Sequence, residues 1–261
     1  MIIDDQHYDV IIIGSGAAGG TLAGSLAGQG KTVLILERGG PMPLADQNMA
    51  DVELLRSKDR FHPTENWFGP DGDPFAPQTM YALGGNTKIW GGVLERMREK
   101  DFGALPLQEG VSPQWELSYG DVAPYYDKAE QLYQVHGRAG VDPTEPPRQS
   151  DFSAAPKPVE PFLQELRSCL ERQGAQPYDL PLSWSTSQDD PSGDSQLYGI
   201  DHADPSKLEI RTQATVKRLH VNPLGSSVKG VEADVAGETW LFKADLVVLA
   251  AGAINSPAIL M

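Results

Sequence analysis

A strand, glycine-rich turn and helix over residues 8–40, a run of strand patterns after residue 207 and a proline-laden stretch between them predict an α/β fold. Its core would be a Rossmann-like parallel sheet with a β-meander crossover, interrupted by a long, turn-rich insertion. Proline marks the division: 18 of 21 prolines lie between Pro41 and Pro191, and only Pro205, Pro223 and Pro257 follow. Residues 1–40 and 205–261 are therefore expected to form one discontinuous nucleotide fold. Residues 41–204 are expected to be the insertion, carrying a glycine-rich loop at 81–93 and cap helices.

The opening unit reads YDVIIIGSGAAGGTLAGSLAGQGKTVLILERGG. Residues 10–13 suit a parallel strand buried on both faces. Gly14 makes the tight turn, Gly16 lets a pyrophosphate approach bare backbone beside Ser15, and Gly19 lets the helix lie close on the strand. The helix would point its free N–H groups at the phosphates and its Ala18, Leu22 and Leu26 at the sheet, ending at Gly28 or Gly30. Residues 33–36 supply the second strand. Glu37 closes it where a carboxylate can accept both hydroxyls of an adenosine ribose, an arrangement that disfavours a 2′-phosphate through charge repulsion. A dinucleotide is thus the expected ligand.

Further along, SYGDVAPYYDKAEQLYQVHG predicts a turn at Ser118 and a helix started by Pro124, with Tyr125, Ala129, Leu132 and Tyr133 on one face. Val159, Phe162, Leu163, Leu166, Cys169 and Leu170 recur at helical spacing, so Cys169 is expected in core packing, on a helix ending at Gly174. After residue 207, LEIRTQATVKRLHV, SVKGVEADV and ETWLFKA read as strands, and residues 246–250 as a separate short, apolar one.

Two glycine pairs in YALGGNTKIWGGVLERMREKDF, Gly84-Gly85 and Gly91-Gly92, flank Asn86, Thr87 and Trp90. Such exposed backbone can lie against a flat ring or a phosphate while Asn and Thr donate hydrogen bonds. Together with Glu37-Arg38-Gly39, WELSYGDVAPYYDKAEQLYQVHG and the closing LAAGAINSPAILM, this loop makes the chain resemble the N-terminal half of a glucose-methanol-choline (GMC) oxidoreductase over essentially its whole length. The resemblance implies an FAD-dependent enzyme that oxidises an alcohol or sugar CH–OH group by hydride transfer to flavin N5. It places Gly14, Ser15, Gly16 and Gly19 on the pyrophosphate and Glu37, with Arg38 after it, at the adenosine ribose. Gly85, Asn86, Thr87, Trp90 and Gly92 fall beside the flavin, Val216 at the adenine, and Ala251 and Gly252 at the final turn to the dinucleotide. The form GGNTKIWGG is similar to that of the sugar-oxidising branch, pyranose oxidases and gluconate dehydrogenases. Where the pyranose-oxidase pattern has a flavin-bonding histidine, this chain has Ile89, which implies non-covalent FAD.

Composition limits the partners. A formal net charge of −15 argues against a nucleic-acid partner, and no run of about twenty apolar residues could span a bilayer. The start MIIDDQHYDV lacks the features of a secretory signal, so the cytoplasm is the expected location. One cysteine excludes an internal disulfide and an all-cysteine metal site, and no metal is expected. None of His7, His62, His136, His202 and His220 occupies a motif position, so no catalytic residue is assigned. The clusters Asp71, Asp73 and Asp189, Asp190, Asp194 lack calcium-loop spacing and read as solvated turns. Trp67, Trp115 and Trp184 read as ordinary packing in preference to a sugar site.

In the family the proton-removing histidine belongs to a C-terminal half. Proline at 257 suits a first helical turn, so the closing helix should continue past Met261. The expectation is a truncated chain: the cofactor-binding part, needing a missing C-terminal half or a complementing subunit to act on a small alcohol or sugar. Two alternatives are a free-standing FAD-binding module that docks a separate catalytic chain, and a nicotinamide-dependent reductase.

Overall fold

The computed structural model describes residues 1–41, 65–77, 79–183 and 194–261. His62, Trp184, Asp189 and Asp190 lie outside the described residues. The chain forms two compact units, Met1–Trp90 with Ser187–Met261, and Gly91–Thr186. The sequence expected an insertion over 41–204; here the described residues of 65–90 and 194–204 group with the sheet.

The first unit is built on six strands: β1 (Ile2–Ile13), β2 (Val33–Leu36), β3 (Leu208–Arg211), β4 (Ala214–Val221), β5 (Val228–Val235) and β6 (Glu238–Leu249). Their order across the sheet is β4-β5-β6-β1-β2-β3. Strands β6, β1, β2 and β3 run parallel, while β4, β5 and β6 form an antiparallel meander. The parallel strands explain the uninterrupted apolar runs: every residue of β2 is buried, as are residues 10–13 of β1. One core cluster, including Ile11, Leu34, Leu36 and Phe242, packs one face, and a second, including Ile12, Val33, Ile35 and Ala23, packs the other.

Two expectations about this unit need correction. ETWLFKA and the run expected at 246–250 are not separate strands but join in the single 12-residue β6, which ends at Leu249. The polar residues where the two patterns meet, Lys243 and Asp245, are exposed, and Asp245 Oδ1 meets His7 Nε2 of β1 at 2.8 Å. Helix α1 (Ala17–Gly28) turns Gly19, Ala23 and Ala27, one helical face, to the interior; Leu22 and Leu26 pack beside them, but Ala18 is exposed. Small residues are required there. A Cβ on Gly19 would stand 2.0 Å from the Gly14 carbonyl oxygen, and one on Gly24 2.1 Å from that of Gly199, in the helical turn Gln196–Ile200.

The second unit carries α2 (Tyr119–Leu132) and α3 (Pro161–Arg172). Helix α2 begins at Tyr119, not at Pro124. The Ser118 side chain accepts from Asp121 N–H while the Asp121 carboxylate accepts from Ser118 N–H, a capping box that satisfies the first orphan donors. Pro124 sits inside the helix. The buried face is also shifted from the expected one: Tyr119, Ala123 and Glu130 are buried, and of the expected face Tyr133 is buried while Tyr125 is 66% exposed. An ion-pair cluster decides the shift. Arg96 donates to both oxygens of Glu130 at 2.7 Å and to Asp127 at 2.6 Å, and Arg148 reaches Glu130 at 3.0 Å.

Helix α3 exists and ends at the expected place, yet none of its residues is buried. Phe162, Leu163, Leu166 and Leu170 are exposed, and so is Cys169, which is therefore not a core residue. The helical periodicity is real; no described part of the chain covers the apolar face. The Arg167–Asp179 ion pair ties its polar side to the following segment.

Candidate functional site

The first unit encloses a cavity of about 1190 Å³ against the C-terminal ends of β1, β2 and β6, larger than the ~300–1,000 Å³ of ordinary small-molecule sites. Twelve of the fourteen residues singled out from the sequence line it: Gly14, Ser15, Gly16, Glu37, Arg38, Gly85, Asn86, Thr87, Trp90, Val216, Ala251 and Gly252. Gly19 and Gly92 do not. Gly19 lies beneath the turn against Gly14, and Gly92 belongs to the second unit, where a Cβ would press on the Ser183 carbonyl oxygen at 2.5 Å.

Two helix starts open onto this cavity. Helix α1 follows Gly16, and α4 (Gly252–Leu260) follows Ala251. Neither has a side-chain cap or an acidic residue in its first turn, so each presents unsatisfied N–H groups and the positive end of its dipole. Gly14, at φ +97°, would clash with the Ala250 carbonyl oxygen at 2.6 Å if it carried a Cβ. A Cβ on Gly16 would meet no atom within 4 Å, so the space over that backbone is open on the cavity side.

Buried polar contacts join the two glycine loops. Ser15 N–H and its hydroxyl both donate to Glu37 Oε2, at 2.9 and 2.6 Å, and Gly39 N–H donates to Oε1 at 2.7 Å. The same Ser15 hydroxyl accepts from Gly84 N–H at 3.0 Å. Burial pushes the Glu37 carboxyl above the ordinary range, opposed by the Ser15 hydroxyl first and by the backbone N–H groups of Gly39, Ser15 and Arg38. A carboxylate offers about four acceptor positions, so these donors occupy most of what Glu37 has.

Beside Glu37, the Arg38 guanidinium lies 4.1 Å over the Tyr81 ring, donates to the Tyr81 hydroxyl at 3.1 Å and pairs with Glu65 at 2.8 Å. Tyr81 donates to Glu65 at 2.8 Å, and Asn255 Oδ1 stands 3.4 Å from its hydroxyl. Sequence reasoning gave Tyr81 and Asn255 no role, although each lies within a motif that it did read. It also set Trp67 aside as packing. Trp67 lines the cavity, and its buried Nε1 has no hydrogen-bond partner among the described residues.

The described lining of the site has one carboxylate, Glu37, and two cations, Arg38 and Lys217. It has bare backbone, two uncapped helix starts, aromatic walls at Trp67, Tyr81 and Trp90, and an acid at the end of β2. These features fit a long ligand with an anionic middle and flat ends, and hence the residues fit FAD. No described histidine is among the lining residues: His7 and His220 meet Asp245 and Glu232, His136 meets the Ala155 carbonyl, and His202 stacks on Tyr198.

A family model described as GMC oxidoreductase matches residues 8–261. The chain belongs to the GMC oxidoreductase family. Among its curated relatives, the 6'''-hydroxyparomomycin C oxidase of Streptomyces lividus is 32% identical over 69% of this GMC chain and 32% of its own length. An oxygen-dependent choline dehydrogenase of Xanthomonas euvesicatoria pv. vesicatoria is 29% identical over 98% of the chain and 48% of its own. The fructose dehydrogenase large subunit of Gluconobacter japonicus is 28% identical over 58% and 31%. Among solved structures, an Aspergillus oryzae RIB40 formate oxidase studied for FAD modification superposes with a TM-score of 0.65 at 20% identity, covering 98% of this chain and 47% of that one. The likeness confirms the mixed α/β fold. The chain thus spans between about a third and a half of the length of the proteins it matches.

Proposed function

We propose that the chain is the FAD-holding part of an oxidoreductase that acts on the CH–OH group of an alcohol or sugar. The observation that carries this reading is the convergence of two uncapped helix starts and two glycine loops on one cavity of about 1190 Å³. Bound FAD would supply the hydride acceptor. The chain's own part is to bind and orient: Gly14, Ser15 and Gly16, with the start of α1, take the pyrophosphate, and Gly85, Asn86 and Trp90 flank the flavin. Val216, Ala251 and Gly252 complete the wall. The role of Gly92 and Gly19 would be indirect, through the backbone contacts they permit.

For Glu37 the expected ribose contact asks a carboxylate that already holds several protein donors to accept more. Its first job is to clamp Ser15 to the end of β2, with ribose hydroxyls sharing the remaining acceptor capacity. Arg38, neutralised by Glu65, adds no free cation for a 2′-phosphate, in keeping with an unphosphorylated ribose. Attachment would be non-covalent, because Ile89, the residue before Trp90, is a hydrocarbon with no atom to bond a flavin.

The relatives' names, among them a fructose dehydrogenase, support a sugar or another alcohol as substrate. Proton removal is left to a group that the described part of this cavity does not supply. A second half or a complementing subunit would provide it, and the exposed apolar face of α3 supports the existence of further contacts. The test is the visible spectrum of the purified chain after addition of FAD, followed by acid precipitation. Flavin bands that follow the native protein and leave with the supernatant are expected. Binding of NAD without flavin would favour a nicotinamide-dependent reductase instead.

A further inference from the structure

Asp194 reads from the sequence as part of a solvated acidic turn. It is instead fully buried, and its Oδ2 stands 2.5 Å from Lys88 Nζ, whose side chain is 9% exposed. Lys88 closes the 3-10 turn Gly85–Lys88, the element of the second glycine loop that lines the cavity. Ser195 grips the same turn from behind. Its N–H donates to Thr87 Oγ1 at 3.1 Å, its hydroxyl lies 3.0 Å from that oxygen, and the single hydroxyl proton faces the carbonyls of Gly84 and Ser15, at 3.2 and 3.1 Å. Thr87 in turn donates its own hydroxyl proton to the Gly84 carbonyl at 2.6 Å. That proton is therefore used inside the protein, whereas the sequence reading had it directed at the cofactor.

The geometry points to Asp194 and Ser195 as positioning residues for the flavin-side loop, acting through Lys88 and Thr87, with Thr87 as an anchor in place of a flavin donor. Physically, the turn needs such a hold. Gly84 and Gly85 hold positive φ, +93° and +56°, and glycine, lacking a Cβ, has more unfolded freedom to lose than any other residue. A buried ion pair fixes direction well even where its net stabilisation is small. Segment 194–200 is itself seated on α1 through Gly20 and Gly24, so the loop is referenced to the same helix that starts at the pyrophosphate turn.

This inference rests on the FAD reading, and its experiment separates the two. The variants are K88M/D194N, which removes both charges of the pair together, and T87V, close to isosteric. Affinities for FAD and for ADP, which lacks the flavin, are measured by calorimetry, with the thermal midpoint of the ligand-free chain alongside. Expected is FAD binding weaker by about tenfold, the weight of roughly one hydrogen bond, with ADP affinity essentially unchanged; the ligand-free midpoint of T87V falls, because the buried Ser195 N–H loses its acceptor. Equal losses for FAD and ADP, or no loss for FAD, would overturn the positioning role while leaving the cofactor reading intact. Failure of the unaltered chain to bind FAD would overturn both.

Discussion

Replacing Ser15 with alanine removes one hydroxyl that serves two buried partners. It donates to Glu37 Oε2 at 2.6 Å and accepts from Gly84 N–H at 3.0 Å, with Ser15 and Glu37 only 0% and 6% exposed. A hydrogen bond to a charged group contributes about 1.5–3 kcal/mol, and a buried donor left without its acceptor costs about 1–3 kcal/mol. Together they predict a loss of roughly 3–5 kcal/mol, a large part of the ~5–15 kcal/mol that holds a typical domain folded. Urea unfolding followed by far-ultraviolet circular dichroism would measure it as a lower midpoint at unchanged slope. A loss below about 1 kcal/mol would refute the idea that this hydroxyl couples the two glycine loops.

The same variant has a pH signature whose sign follows from the Glu37 carboxyl. Burial raises its folded-state pKa above the unfolded value, so the native state binds the proton more tightly. Stability from this group is therefore greatest in acid and is lost as the pH rises through the raised value. The Ser15 hydroxyl is the first of the influences that hold the pKa down, and its removal moves the pKa further up. The deficit of S15A should accordingly be smaller in mildly acidic solution than at neutral pH. An equal deficit at both would show that the hydroxyl acts on something other than the carboxylate.

Gly16→Ala should leave the ligand-free thermal midpoint nearly unchanged, because the added Cβ enters open space and the φ of −63° suits any residue. It should weaken FAD by about a hundredfold, roughly 2.7 kcal/mol, in a fluorescence titration; unaltered affinity would remove the pyrophosphate from that turn. Cys169 should react completely with a thiol reagent in the native 261-residue chain, whereas protection until unfolding would restore it to a core. Asp9 is held down to about 2 chiefly by the Thr32 hydroxyl, then by the Thr32 N–H. Its stabilising contribution is present above the unfolded carboxylate range and lost as the pH falls through about 2. In T32V its carboxyl resonance should titrate nearer the ordinary range, and a midpoint that stays put would contradict the hydroxyl's role.

What could be read in advance was whatever depends on backbone economy near in sequence. The strand at residues 10–13, the turn at Gly14 and Gly16 and the acid at Glu37 lie within one strand-turn-helix unit, where each residue type has one steric or electrostatic reason to be present. Errors arose where the deciding partner is distant. The phase of α2 depends on Arg96 and Arg148 meeting Glu130, which apolar periodicity cannot register. Its start was legible, since Ser118 and Asp121 have capping-box spacing, but Pro124 drew the reading away. Helix α3 shows the converse limit: a period of 3.6 proves that a helix has an apolar face, not that this chain covers it.

Asp194 marks the deepest gap between the two kinds of reading. An aspartate near other acids and beside Ser195 has every local reason to be in water, and burial of a carboxylate is tolerable only when a partner cation is already in place. That cation, Lys88, is 106 positions away in the other loop, so neither residue announces the pair alone. Once paired, however, they make the position of the Gly85–Lys88 turn depend on segment 194–200, and that segment can reach α1 only because Gly20, Gly24 and Gly199 carry no side chains. Sequence reasoning gave these three glycines no role, yet their bare backbones have a consequence for the site. By admitting this segment to the back of α1, they tie the loop beside the proposed flavin position to the helix whose start faces the phosphates.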